Sequence, residues 1–133
     1  MNVLFVDDEA GFLDIIIKRF RKRHIDASGV PDGEQAIERI SEGNFDVVVL
    51  DVQIPGHRSG IKVLEEIKSR WPLIEVIMLT GHAMLDAARA GMDNGAFDYM
   101  VKPVDFDELY YKIIDAYKNK SLQETKLKNK MIN

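Results

Sequence analysis

The sequence contains no cysteine, which excludes disulfides, thiolate metal sites and cysteine nucleophiles and fits a reducing compartment. Proline is scarce, four in 133 residues, and no repeat or low-complexity segment divides the chain. No apolar run is long enough to cross a bilayer. The N-terminus has no basic region and meets Asp7, Asp8 and Glu9 after a short apolar run, a pattern unlike a signal peptide. Positive charge is not in excess: 18 Lys and Arg face 22 Asp and Glu, for a net charge of -4. That balance argues against a globally basic nucleic-acid binder. A cytoplasmic protein with no membrane partner and no direct nucleic-acid contact is expected.

What is present suits a single domain, with 46% hydrophobic and 30% charged residues. A chain of this length buries roughly two-thirds of its unfolded surface and needs no covalent staple. Short apolar runs alternate five times with amphipathic stretches. Val3–Val6, Ile25–Val30, Val47–Leu50, Val76–Leu79 and Phe97–Val101 read as strands. The uninterrupted Val47–Leu50 run is what a parallel strand buried on both faces requires. The intervening segments read as helices. The first is expected to bury Phe12, Ile15, Ile16 and Phe20, and the basic run Lys18–Arg23 suits its negative end. The second opens at Asp32, whose pairing with Gln35 resembles a capping box, and closes near Gly43. A third follows Gly60 and stops at Pro72; a fourth spans Met84 to about Asn94. The fifth starts at Asp105 and buries Phe106, Leu109, Ile113 and Tyr117. A folded unit of residues 1–119 is expected, with 120–133 a polar tail or the start of a linker. The alternation predicts a doubly wound α/β fold, five parallel strands with five helices on both faces.

In such sheets ligands bind beyond the carboxyl ends of the strands. Those ends carry Asp7 and Asp8, then Asp51, Thr80, and Lys102 followed by Pro103. Singly, each has an ordinary reading: a turn-forming Asp, a capping Thr, a solvated Lys. Together they converge on one edge. Three clustered carboxylates repel, so they must bind protons or recruit a cation. Oxygen ligands alone select a hard ion, Mg2+, for which Mn2+ would also serve. Magnesium leaves positions for phosphate oxygens, so the natural guest is a phosphoryl group. Lys102 then adds positive charge, Thr80 a hydroxyl donor, and one carboxylate remains as nucleophile. Asp51 is the best candidate, ending the most buried strand between the Asp7–Asp8 pair and Lys102.

Asp7-Asp8, Asp51, Thr80-Gly81 and Lys102-Pro103, each after its own strand, resemble the response-regulator receiver domain of two-component signalling. Asp32-Gly33-Glu34, Pro55-Gly56 and Gly95-Ala96-Phe97-Asp98-Tyr99 add to the match, which runs from about Asn2 to about Lys118. The resemblance implies strand order 2-1-3-4-5. It implies that Asp51 accepts a phosphoryl group from a sensor histidine kinase or a phosphotransfer protein. Asp8, Asp51 and the backbone carbonyl of Gln53 would hold Mg2+, with Asp7 acting through a bound water. Lys102 would pair with the phosphoryl oxygens, Thr80 would move to bond them, and Tyr99 would swing into the space Thr80 leaves. Gly81 would leave room for the phosphoryl group, a cis Lys102–Pro103 bond would aim the lysine, and Gln53 and His82 would flank the water path. The face of helix four, strand five and helix five would be the output or homodimer surface. Such a switch is no enzyme beyond its own phosphotransfer and autodephosphorylation.

Two departures stand out. The stretch Asp51–Gly60 carries one residue more than the family's usual spacing, across His57-Arg58-Ser59, so a bulged loop is expected. Ile54 replaces a common methionine. A phosphohydrolase of the haloacid-dehalogenase type also joins Asp, Thr, Lys and Mg2+ on a parallel sheet. It needs an Asp-x-Asp nucleophile motif after strand one, and Asp7-Asp8-Glu9-Ala10 lacks it. His24 and His57 match no metal-site spacing and are expected to be surface residues.

Overall fold

The computed structural model describes residues 1–132. Five strands alternate with five helices: β1 (Asn2–Val6), α1 (Ala10–Lys22), β2 (Asp26–Val30), α2 (Gly33–Glu42), β3 (Val47–Asp51), α3 (Gly60–Arg70), β4 (Glu75–Thr80), α4 (Leu85–Asp93), β5 (Asp98–Val101) and α5 (Phe106–Ile132). The strands form one parallel sheet in the order β2-β1-β3-β4-β5, the doubly wound architecture expected from the alternation.

Because successive strand side chains point to opposite faces, the apolar runs divide into two cores. Leu4, Val6, Val48, Leu50, Val76 and Met78 face α2, α3 and α4. Val3, Phe5, Val47, Val49, Ile77 and Leu79 face α1 and α5. Burial on both sides is why these strands carry no polar alternation.

In α1 the buried pair is Ile16 and Phe20, and Ile15, expected in the core, is 63% exposed. At about 100° per residue Ile15 lies on one margin of the apolar stripe, with Leu13 and Ile17 on the other. The sheet decides between them. Gly29 of β2 has no side chain, and a Cβ there would lie 2.9 Å from Ile17 Cδ1 and 3.1 Å from Leu13 Cδ2. Leu13 and Ile17 occupy that gap and turn Ile15 outward.

The helix termini follow their local chemistry. The Asp32 carboxylate accepts from the Gln35 amide N–H at 2.8 Å, and the Gln35 side chain donates to its second oxygen. Ser59 caps α3 by accepting from Lys62 N–H. His24 adopts φ 61° just past α1, so it terminates the helix as a left-handed residue. Arg21 donates twice to the Ala27 carbonyl, and Arg19 and Arg23 stack over Phe106 and Tyr110. Much of the basic run is thereby engaged within the domain. The expected fourth helix forms as α4, within a residue of its expected ends, and a 3-10 turn, His82–Met84, precedes it.

The residue 119 boundary falls inside α5, which continues unbroken for 27 residues to Ile132. Phe106, Leu109, Ile113 and Ala116 bury its first half. None of the described helices is long and apolar enough to cross a membrane.

Candidate functional site

β1 and β3 are adjacent, so their carboxyl ends deliver Asp7, Asp8 and Asp51 to one place. One oxygen from each of the three carboxylates lies within 4.8 Å of the others. Asp7 and Asp51 are buried, at 1% and 6% exposure, whereas Asp8 is open to solvent. From β5, the Lys102 ammonium donates to Asp7 Oδ2 at 2.9 Å and to Asp51 Oδ2 at 3.0 Å. The Lys102–Pro103 peptide bond is cis.

The remaining oxygens of the buried pair are held by the backbone. Glu9 N–H donates to Asp7 Oδ1 at 2.9 Å, and Gln53 N–H donates to Asp51 Oδ1 at 3.0 Å. Both carboxylates are therefore fixed in orientation. Asp8 makes no hydrogen bond or ion pair among the described residues and faces a cleft of about 590 Å³ lined also by Asp51, Gln53, Gly81 and Lys102.

The electrostatics follow from burial and charge. Burial pushes the Asp51 carboxyl above its ordinary value, and the Asp7 charge adds to this, against the bonds from Gln53 and Lys102. Burial also works against the Lys102 ammonium. Its hydrogen bonds to Asp7 and Asp51, with their charges, outweigh that and place its pKa above the ordinary lysine range. Lys102 pairs with two of the three carboxylates and leaves Asp8 without a counter-charge, an imbalance a cation relieves. The donor set is oxygen only, and Asp8 is uncommitted. These residues fit a hard divalent ion such as Mg2+.

Loop geometry tightens the arrangement. Val52 N–H donates to Leu79 O at 2.8 Å, and Gly60 N–H donates to Val52 O at 3.1 Å, so the loop over residues 53–59 is pinched at its base. Within it Gly56 has φ 101°, a left-handed conformation suited to glycine, and Arg58 pairs with Glu66 at 2.9 Å. The stretch His57-Arg58-Ser59 lies in this excursion while both ends stay anchored.

Not every expected residue reaches the cleft. Thr80 is fully buried at the end of β4, and its hydroxyl donates to Gly81 O at 2.9 Å. Tyr99 packs beside the core that lies under α2, α3 and α4. His82 is exposed in its 3-10 turn and lies outside the cleft lining, whereas Pro103 lines an adjoining groove with Glu9, Phe12 and Val104. Two neighbours were not anticipated. Glu9 Oε1 lies 3.5 Å from the Lys102 ammonium, which also sits 5.3 Å from the Phe12 ring centroid. Glu9 extends the Asp7–Asp8 charge run and was visible in principle. Phe12 carries no such signal.

The model for the response regulator receiver domain matches residues 3–114. The transcriptional regulatory protein ZraR of Klebsiella oxytoca is 32% identical over 94% of this chain and 28% of its own length. A putative NtrX-like response regulator of Rickettsia typhi is 32% identical over 99% of this chain and 27% of its own length. The chain thus spans little more than a quarter of these curated relatives. Among solved structures, a response regulator receiver domain protein from Clostridium thermocellum is 33% identical, with a TM-score of 0.87, over 92% of this chain and 98% of that one. In fold and in sequence, the chain belongs to the response regulator receiver domain family.

Proposed function

We propose that this receiver domain is a phosphoryl-accepting switch whose acceptor is Asp51. The observation that carries this reading is the Lys102 ammonium, bonded at once to Asp7 and Asp51 while Asp8 stands uncommitted at the mouth of the cleft. An Asp51 oxygen attacks the phosphorus of a phosphohistidine on a sensor histidine kinase or phosphotransfer protein. The phosphorus–nitrogen bond breaks, and the imidazole leaves with the electron pair. Asp51 Oδ1 is held by Gln53 N–H throughout, so the second oxygen is the one presented. Lys102, already paired with that oxygen, turns its charge to the incoming phosphoryl oxygens.

Asp8, Asp51 and the backbone carbonyl of Gln53 would hold Mg2+, with Asp7 assisting through water. When bound, Mg2+ offsets the carboxylate charge and that of the transferred group. Gly81 leaves the phosphoryl group room, since a Cβ there would meet nothing within 4 Å. Thr80 exchanges its bond to Gly81 O for one to the phosphoryl group, and Tyr99 follows into the space released. The altered face of α4, β5 and α5 then addresses a partner protein, an output domain or a second copy. Water later cleaves the aspartyl phosphate in an autodephosphorylation flanked by Gln53 and His82.

The test is intact-mass measurement after incubation with Mg2+ and acetyl phosphate. One phosphoryl adduct is expected, absent from Asp51→Asn and abolished by a chelator. An unmodified wild-type chain, or an adduct retained in Asp51→Asn, would overturn the assignment.

A further inference from the structure

At the opposite edge of the sheet, where strands begin, α5 is tied down by charged groups that the acidic site does not use. The Lys120 ammonium donates to Asp46 Oδ1 at 2.9 Å and also to Glu124. The second Asp46 oxygen accepts from Asn2 N–H at 2.8 Å. One residue earlier, Asn119 Nδ2 donates to Glu75 Oε2 at 2.9 Å, and the other Glu75 oxygen pairs with Lys68 at 3.3 Å. Lys68 in turn donates to the Pro72 and Ile74 carbonyls. The Lys120 side chain is only 12% exposed. Burial disfavours its charge, yet the Glu124 and Asp46 bonds outweigh that and raise its pKa.

Beyond this point no described residue of α5 is buried. Leu122 and Met131 are 52% and 86% exposed. A helical stretch this short has marginal stability in water by itself, so its order depends on what anchors it. It also forms a wall. Lys120, Gln123 and Leu127 face Phe45, Trp71 and Leu73 across a cleft of about 580 Å³.

We propose that the Lys120–Asp46 and Asn119–Glu75 pairs form a clasp that holds the C-terminal part of α5 as a strap along this cleft. With the clasp closed, residues 120–132 continue α5 as one rigid helix. With it open, the segment frays back towards Ala116 and the Trp71 side of the cleft meets solvent. Asp46 immediately precedes β3 and Glu75 opens β4, so the strap is referenced to the starts of these strands. The Lys120–Glu124 pair lies within the helix and braces it without attaching it.

Hydrogen exchange on the full chain reads the clasp directly, and Trp71, the single tryptophan, reports on the cleft. Lys120→Met keeps the aliphatic stem and removes only the ammonium. Exchange of amides in 121–132 is expected to quicken about tenfold, with β3 and β4 still protected and Trp71 fluorescence quenched more readily by acrylamide. Glu124→Gln is expected to have a smaller effect, because it leaves the attachment to Asp46. Unchanged exchange over 121–132 in Lys120→Met overturns the proposal. Should that variant also expose β3 and β4, Asn119→Ala decides: selective loss over 121–132 supports the clasp, and unchanged exchange there overturns it.

Discussion

Gly60 lies so close to Asp51 that a Cβ at position 60 would stand 2.7 Å from the Asp51 carbonyl oxygen. It would meet Val52 Cα and the Val52 carbonyl at the same distance. The first turn of α3 therefore rests directly on the backbone that carries the proposed acceptor. Gly60→Ala is expected to cost about 1–3 kcal/mol, as overpacking against rigid backbone does. Urea denaturation measures that cost. The phosphoryl adduct in the acetyl phosphate assay should form more slowly in the same variant.

Burial raises the Asp51 pKa above its ordinary value of 3.8. The folded state then holds this proton more tightly than the unfolded chain does. Its contribution to stability is present below the ordinary carboxylate pKa and is lost as pH rises through the raised value. Asp51→Asn removes that loss. Without metal, its stability relative to wild type should climb across that window and level off above it. Denaturation of both proteins in chelator from about pH 3 to about pH 8 checks the sign, and a flat difference would contradict it.

Lys102 is the close ammonium between two buried carboxylates. Lys102→Met leaves Asp7 and Asp51 without it and is expected to destabilise the metal-free domain by about 1.5–3 kcal/mol, the range for a charged hydrogen bond. A divalent cation should offset more of that deficit than it adds to wild type, because it relieves a larger charge imbalance. Melting temperature against Mg2+ concentration, compared for the two proteins, provides the measurement.

The Thr80 hydroxyl is committed to Gly81 O. Thr80→Val keeps the shape and removes the hydroxyl. Asp51 should still accept a phosphoryl group in this variant. NMR signals of the Tyr99 ring, which shift on phosphorylation in the proposed switch, should move far less. Equal Tyr99 shifts in both proteins would separate Tyr99 from Thr80.

Leu109 is fully buried between α5 and the sheet. Leu109→Ala is expected to cost about 2–5 kcal/mol as a loss of global stability. Hydrogen exchange should then quicken throughout the sheet, unlike the local fraying expected when the clasp opens.

Much of this protein was legible in its residues. Uninterrupted apolar runs ending in Asp, Thr or Lys mark buried parallel strands with polar carboxyl ends, and the parallel crossovers bring those ends to one edge. That logic was enough to assemble Asp7, Asp8, Asp51 and Lys102, because strand position alone determines where they meet. Local sequence likewise announced Asp32 as a helix cap.

Other features depended on packing between elements distant in sequence. Ile15 and Ile17 are chemically alike, and only Gly29 on a neighbouring strand decides which one is buried. Glu9 and Phe12 approach Lys102 because the start of α1 and the segment after β5 line one groove. The polar residues 120–133 suggested a tail or the start of a linker, without saying what holds them; Lys120 finds Asp46, 74 residues away, and α5 continues past it. The sequence by itself determined the acidic edge, because hydrophobic patterning sets strand direction and end point. Tertiary structure decided helix rotation, the hold on Lys102 and the course of α5, because each rests on contacts between residues far apart in the chain.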